Sequence, residues 1–265
     1  MSSSLNNLIA AWSFYFGAVI ASFLNVVIWR VPRGESVVRP PSHCPKCDAP
    51  IKWYQNLPIV SYLWLRGKCA KCHAPISPRY LLVEILGGVL FWGAWLKFGL
   101  DAPILWVWFS LMIVGSFIDF DHHLLPDFVT IGGMAYGLVL SVAIPLIAGV
   151  SPWAGLGWSL VGAASGLGIM WLIRFLGGRA FKREAMGMGD VLLMGAVGSM
   201  TGWPGALFAL VVSSFLGSVG GLAAMAVSRK WGRNFEIPYG PYICLANLIY
   251  IFFPETMDWY LRLFR

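Results

Sequence analysis

The sequence predicts an all-α polytopic membrane protein with about eight transmembrane helices and one small cytoplasmic loop domain. Three observations carry that prediction. Hydrophobic residues make up 58% of the 265 and charged residues 12%, with a mean hydropathy of +0.71. A soluble domain carries about 25% charged residues, so this chain lacks the charge to cover a globular surface. Its apolar residues run in long stretches without the period-2 alternation of barrel strands. Its few basic residues cluster in the gaps between stretches, as they do in a protein that crosses a bilayer. Ordinary soluble proteins, disordered chains and secreted disulfide scaffolds are excluded.

A bilayer core takes about 20 apolar residues as a helix. Stretches of that kind lie at 8–29, 80–100, 102–119, 127–149, 153–176, 190–202, 203–227 and 239–253. The first has no Lys or Arg before it. A cleaved signal peptide needs a basic flank there, so it reads as an uncleaved span with a periplasmic N-terminus. The 190–202 stretch is short, and only Gly202-Trp203-Pro204 separates it from the next. Gly133/Gly137, Gly162/Gly166 and Gly217/Gly221 recur at helical spacing and predict close helix packing. No internal repeat is apparent.

The loops fix orientation. Arg30 to Arg79 holds nine Lys or Arg, residues 174–183 hold four, and Arg229, Lys230 and Arg233 add three. Strict alternation of eight spans puts these 16 of 19 on one side, which the positive-inside rule makes cytoplasmic. The 30–79 loop also carries the whole net charge of +7, since it has only Glu35 and Asp48 against nine cations. Elsewhere acidic and basic residues balance, so the charge gives no reason to expect nucleic acid. It marks one module beside anionic headgroups.

That loop contains Cys44-Pro-Lys-Cys47 and Cys69-Ala-Lys-Cys72. Each pair can bite a metal through two thiolates from a tight turn, and two turns complete a tetrahedral Cys₄ site for zinc. A cytosolic location disfavours disulfides. Lys46, Lys68 and Lys71 offset the charge of a tetrathiolate. His43 and His73 abut the cysteines, but four cysteines already close the site. A closed site leaves no position for substrate, so the zinc is structural. Cys244, in the last span, reads as a packing residue.

Among twelve acidic residues, Glu35, Asp48, Glu184 and Glu236 fall in basic segments, while Asp101, Glu255 and Asp258 are on the far side. Glu84 lies just inside the second span. Asp119, Asp121, Asp127 and Asp190 lie near cytoplasmic ends of spans, where an ionisable side chain is costly and marks a functional candidate. Asp119 and Asp190 lie on different spans at similar depth. If those helices pack, the two carboxyls share a site where one stays ionised and the other protonated, the arrangement of aspartyl proteases. Asp121 points about 200° away from Asp119 on a helix. Gly187 and Gly189 permit close backbone approach before Asp190.

These residues carry a family resemblance. The chain resembles the bacterial prepilin leader peptidase/N-methyltransferases, GxGD-type aspartyl proteases of the membrane. The match runs through Ser22-Phe-Leu-Asn-Val-Val-Ile-Trp-Arg30, Arg39-Pro-Pro-Ser-His-Cys44, Leu65-Arg-Gly-Lys-Cys69 and Ile76-Ser-Pro-Arg-Tyr80 with Glu84. It continues through Asp119 to Leu125-Pro-Asp127, Gly187-Met-Gly-Asp190 and Pro238-Tyr-Gly-Pro241. The resemblance implies an enzyme of the bacterial inner membrane. It cuts the basic leader from type IV prepilins and type II secretion pseudopilins at the cytoplasmic face. It then methylates the new N-terminal residue, typically Phe, with S-adenosylmethionine. The family's catalytic aspartates fall on Asp119 and Asp190, the first set by its spacing to Pro126. Many members have Lys where this chain has Leu192, a difference of local electrostatics.

The implied organisation is a first transmembrane helix (1–29), a Cys₄ zinc module linked to methyl transfer (30–79) and a transmembrane peptidase core (80–265). No Gly-rich strand-to-helix turn suggests a Rossmann cofactor site, so the residues that bind S-adenosylmethionine are not legible; Glu84 and Glu35 are conceivable carboxylates for methyl transfer. Competing readings are a peptidase without methyl transfer, an ion-coupled transporter, a non-catalytic zinc scaffold and a presenilin-type protease. A transporter needs carboxylates near the midplane and often repeat symmetry, and the Cys₄ loop argues against the presenilin type.

Overall fold

The computed structural model describes residues 3–149, 151–182, 186–228 and 237–253. Glu184, Glu236, Glu255 and Asp258, and the basic residues Arg183, Arg229, Lys230, Arg233, Arg262 and Arg265, lie outside them. All named elements among the described residues are helical: α1 (Ser3–Arg30), α2 (Val60–Trp64), α3 (Pro78–Phe98), α4 (Ala102–His122), α5 (Asp127–Ile147), α6 (Trp153–Phe181), α7 (Met188–Ser228) and α8 (Gly240–Phe252). The expected all-α membrane architecture is present.

Five helical stretches are long and apolar enough to cross a bilayer, against about eight predicted spans. The arithmetic of the difference is physical. Pro78–His122 (45 residues) and Met188–Ala226 (39 residues) each combine two of the predicted segments, and Gly240–Phe252 is shorter than a full span. At about 1.5 Å per residue, 39–45 residues make about twice the thickness of a bilayer core. A 3-10 turn at Gly99–Asp101 interrupts the first of these stretches. The second bends at Gly202, whose backbone leaves the helical region with φ 73°. The side chain of Trp158 occupies the space a Cβ at Gly202 would need, so this break is sharper than the sequence suggested.

The chain divides into two compact units, Met1–Val114 and Gly115–Arg265. In the first, α1 packs along α3. Glycines permit the approach: a Cβ on Gly87 would stand 2.5 Å from that of Ala21. Above this contact Phe91 stacks on Trp106 with centroids 5.1 Å apart, and Trp106 donates its indole N–H to the carbonyl of Phe91 at 3.0 Å. The start of α3 follows from Ser77, whose hydroxyl accepts the amide of Arg79 at 3.3 Å, and from Pro78 in the first turn.

In the second unit α7 packs on α6, α5 and α8. Gly162 of α6 and Gly198 of α7 face each other so closely that a Cβ on either would strike the other's carbonyl oxygen. Gly137 of α5 likewise faces Ser199, and Ser159 donates its hydroxyl to the carbonyl of Ser199 at 2.7 Å. The predicted role of the small residues at 137, 162 and 166 is therefore seen as direct helix contact, as expected where packing rather than water exclusion holds helices together.

The loop between α1 and α3 revises one expectation. It contains a short internal repeat offset by 25 residues, Cys-Pro-Lys-Cys-Asp-Ala-Pro-Ile (44–51) and Cys-Ala-Lys-Cys-His-Ala-Pro-Ile (69–76). Both copies fold alike. The amide of Cys44 donates to the carbonyl of Ala49, and that of Cys69 to Ala74, each at 2.9 Å. Bridges join His43 to Pro50 and Lys68 to Pro75. Asp48 and His73, at equivalent places, both take positive φ, 52° and 57°. Eight residues are too few for composition to reveal; the shared hydrogen bonds make the equivalence plain.

Candidate functional site

Two features of the second unit bring the predicted aspartates together. Asp119 sits in the last turn of α4 and is 5% exposed. Its Oδ2 accepts the backbone amide of Gly240, the first residue of α8, at 2.9 Å. A Cβ at Gly240 would lie 2.8 Å from that oxygen, so only glycine lets the helix start come this near. Tyr239 anchors the approach, its hydroxyl 2.7 Å from Ser213 Oγ and 3.1 Å from Ser214 Oγ of α7.

Asp190 lies in the first turn of α7, and the backbone amide of Gly187 donates to its carboxylate. The two carboxyls lie near enough for the charge of Asp119 to be felt at Asp190. Leu125 fills the space between their supports: a Cβ on Gly189 would meet its Cβ at 2.9 Å, and one on Gly240 its Cδ2 at 3.3 Å. Cys244, one turn into α8, is buried behind the pair, bonds Ser116 and feels both aspartates. Asp121 and Asp127 are exposed. The sequence did not assign a role to Gly240, Leu125 or Tyr239. The only signal was Pro-Tyr-Gly-Pro, which marks a helix start but not its target.

The second predicted centre is in the first unit. The sulfurs of Cys44, Cys47, Cys69 and Cys72 all lie within 4.8 Å of one another, and Cys44 Sγ is 3.8 Å from Cys72 Sγ. Thiolates about 2.3 Å from a tetrahedral zinc stand about 3.8 Å apart. The spacing and the all-sulfur donor set therefore fit zinc. Lys71 donates its amide to Cys69 Sγ at 3.4 Å. This amide and that of Cys72 hold the Cys69 thiol down to about 6, Cys72's acting most. At Cys47 the Ala49 amide acts the same way, but burial and the thiols of Cys72, Cys44 and Cys69 prevail and push it up to about 11. His43 turns to the carbonyl of Pro41 at 3.2 Å, and the cluster consists of the four cysteines.

Glu84 is 8% exposed and accepts the amide of Ile59 at 2.8 Å and the hydroxyl of Ser22. It thus ties the loop to α1 and α3; Glu35 is exposed. Beside Ser22 a cavity of about 320 Å³ lies between the C-terminal half of α1 and the loop, lined among others by Phe23, Val26, Arg30, Val37 and Asn56. Arg30, 7% exposed, is among the lining residues and donates to the carbonyls of Ser36 at 2.9 Å and Pro40 at 2.7 Å.

Comparison with known proteins gives two family matches. Residues 15–98 match the bacterial peptidase A24 N-terminal domain and residues 106–222 the type IV leader peptidase family. Several relatives carry the name prepilin leader peptidase/N-methyltransferase. That of Myxococcus xanthus (strain DK1622) is 39% identical, over 86% of this chain and 67% of its own length. That of Aeromonas hydrophila is 33% identical over 95% and 93%. That of Neisseria gonorrhoeae is 36% identical over 92% and 90%. No solved structure matches the chain.

Proposed function

Since the chain belongs to the type IV leader peptidase family, we propose that it removes the basic leader from type IV prepilins and type II secretion pseudopilins and then methylates the new N-terminus. The observation that carries the peptidase half is the convergence of the ends of α4 and α7: Leu125 packs against Gly189 beside Asp190 and against Gly240, whose amide holds Asp119. The two carboxyls share one proton. The ionised one takes a proton from water, whose oxygen attacks the scissile carbonyl carbon. The protonated one donates to the carbonyl oxygen as charge develops there. The tetrahedral species then collapses, and the leaving amine recovers a proton. The Gly240 amide holds one Asp119 oxygen.

Cys44, Cys47, Cys69 and Cys72 would hold a zinc ion, which would fasten the 30–79 module as a structural metal. The module serves methyl transfer, and 80–265 forms the peptidase core. S-adenosylmethionine, when bound, would supply the methyl group to the new N-terminal amine. The enzyme lies in the bacterial inner membrane with a periplasmic N-terminus and both aspartates at the cytoplasmic face. The charge split of the loops supports this orientation. A prepilin keeps its basic leader on the same side by the same rule, which brings the scissile bond to the aspartates.

The test uses purified full-length protein, a prepilin with a basic leader before Phe, and labelled S-adenosylmethionine. Mass spectrometry of the product N-terminus is expected to show leader loss followed by one added methyl. Asp119→Asn and Asp190→Asn should each abolish cleavage while the protein still accumulates in the membrane. Near-normal processing by either variant refutes the pairing.

A further inference from the structure

Methyl transfer needs a binding place for its donor, and the first unit offers one. Its cavity of about 320 Å³ falls within the range of small-molecule sites, about 300–1,000 Å³. One wall is apolar, from Phe23 and Val26; Ser22 and Asn56 add polar groups. The cation in its lining is unusual. Arg30 is more than nine-tenths buried, and both its acceptors are neutral carbonyls, those of Ser36 and Pro40. Three of its five N–H groups remain, and no carboxylate among the described residues meets its charge. A buried charge without a counter-ion is costly, so the site is built for an anionic group. Ser22, which lines the cavity, also donates its hydroxyl to the buried Glu84.

We propose that S-adenosylmethionine occupies this cavity, its methionyl carboxylate on the Arg30 guanidinium and its nucleoside against Phe23 and Val26, with Ser22 and Asn56 as the neighbouring polar groups. The inference rests on the methyl-transfer reading above. It explains why a chain without a dinucleotide-type fold can hold the donor: a helix end and a strapped-down loop do the work of a Gly-rich turn. Arg30 both fastens the 36–40 strap and presents the charge.

Binding to the full-length protein is measured by calorimetry with two ligands, S-adenosylhomocysteine and 5′-methylthioadenosine, which has the nucleoside but no carboxylate. Arg30→Gln is expected to weaken S-adenosylhomocysteine about 10- to 100-fold, the loss of a charge-assisted hydrogen bond, and 5′-methylthioadenosine less than about threefold. Val37→Trp, which fills the cavity from the loop, should remove both. Zinc content and gel filtration in detergent confirm that each variant is folded. Equal weakening of both ligands by Arg30→Gln, or undiminished binding to Val37→Trp, overturns the proposal. So does loss of S-adenosylhomocysteine binding when phosphatidylglycerol is added to phosphatidylcholine nanodiscs, since a lipid headgroup would then be the occupant. If the unaltered protein methylates cleaved pilin while the variants bind normally, only this location fails. If it neither binds the donor nor methylates, methyl transfer itself fails.

Discussion

The backbone amide of Gly240 donates to Oδ2 of Asp119 at 2.9 Å, across 121 residues of sequence. The bond does two things for a carboxyl at the end of a membrane helix. It satisfies one oxygen of a buried carboxyl, and it ties the end of α4 to the start of α8. Asp190 is held the same way by a backbone amide, that of Gly187.

Gly240→Ala tests this bond. Its Cβ would lie 2.8 Å from Asp119 Oδ2 and 3.3 Å from Leu125 Cδ2, so the α8 start must retreat. Leader cleavage should fall at least about tenfold, the scale of one hydrogen bond to a charged group. Zinc content should be unchanged. Normal cleavage rates in a prepilin assay would show that the bond is incidental.

Asp121→Asn separates position from charge. Asp121 is exposed whereas Asp119 is buried on the same helix end. The variant should keep cleavage within about threefold, in the usual range for surface changes, while Asp119→Asn abolishes it. Side-by-side rates on one prepilin decide the matter.

Zinc loading should depend on pH with a definite sign. Zinc binds thiolates, so loading releases protons and weakens as pH falls. Cys69 titrates at about 6 and Cys47 at about 11 without metal. Between these values Cys69 is already a thiolate and Cys47 still carries its proton, so affinity rises with pH through that window and zinc is shed as pH drops below about 6. Chelator-detected zinc release across a pH series measures it; a flat profile contradicts the four-thiolate site. Cys47→Ser and Cys72→Ser should each lower zinc to well under one per chain.

Gly198→Val should damage the second unit. The new side chain would strike the carbonyl of Gly162, backbone that cannot move aside without separating α6 from α7. Overpacking of this kind costs about 1–3 kcal/mol or more, and it should lower the melting temperature in detergent by several degrees. Gly168→Ala has open space around it and should melt like the unaltered protein.

The sequence by itself determined the solvent, the secondary structure and the chemistry at hand. Low charge and long apolar stretches require a bilayer, two Cys-x-x-Cys turns suit a soft metal, and scarce aspartates can be weighed singly. These are local properties, set by composition and by spacing within one segment. The tertiary structure decided what depends on contact between distant segments. It showed that α7 bends where Trp158 occupies the space beside Gly202, that the two cysteine turns are copies of one fold, and that Glu84 binds Ile59 rather than standing open. It also buried Asp119 against Gly240 while leaving Asp121 exposed. Spacing to Pro126 singles out Asp119, but no spacing rule reveals what holds it, because that amide arrives from a helix 121 residues away, and glycine at that place registers in sequence only as a missing side chain.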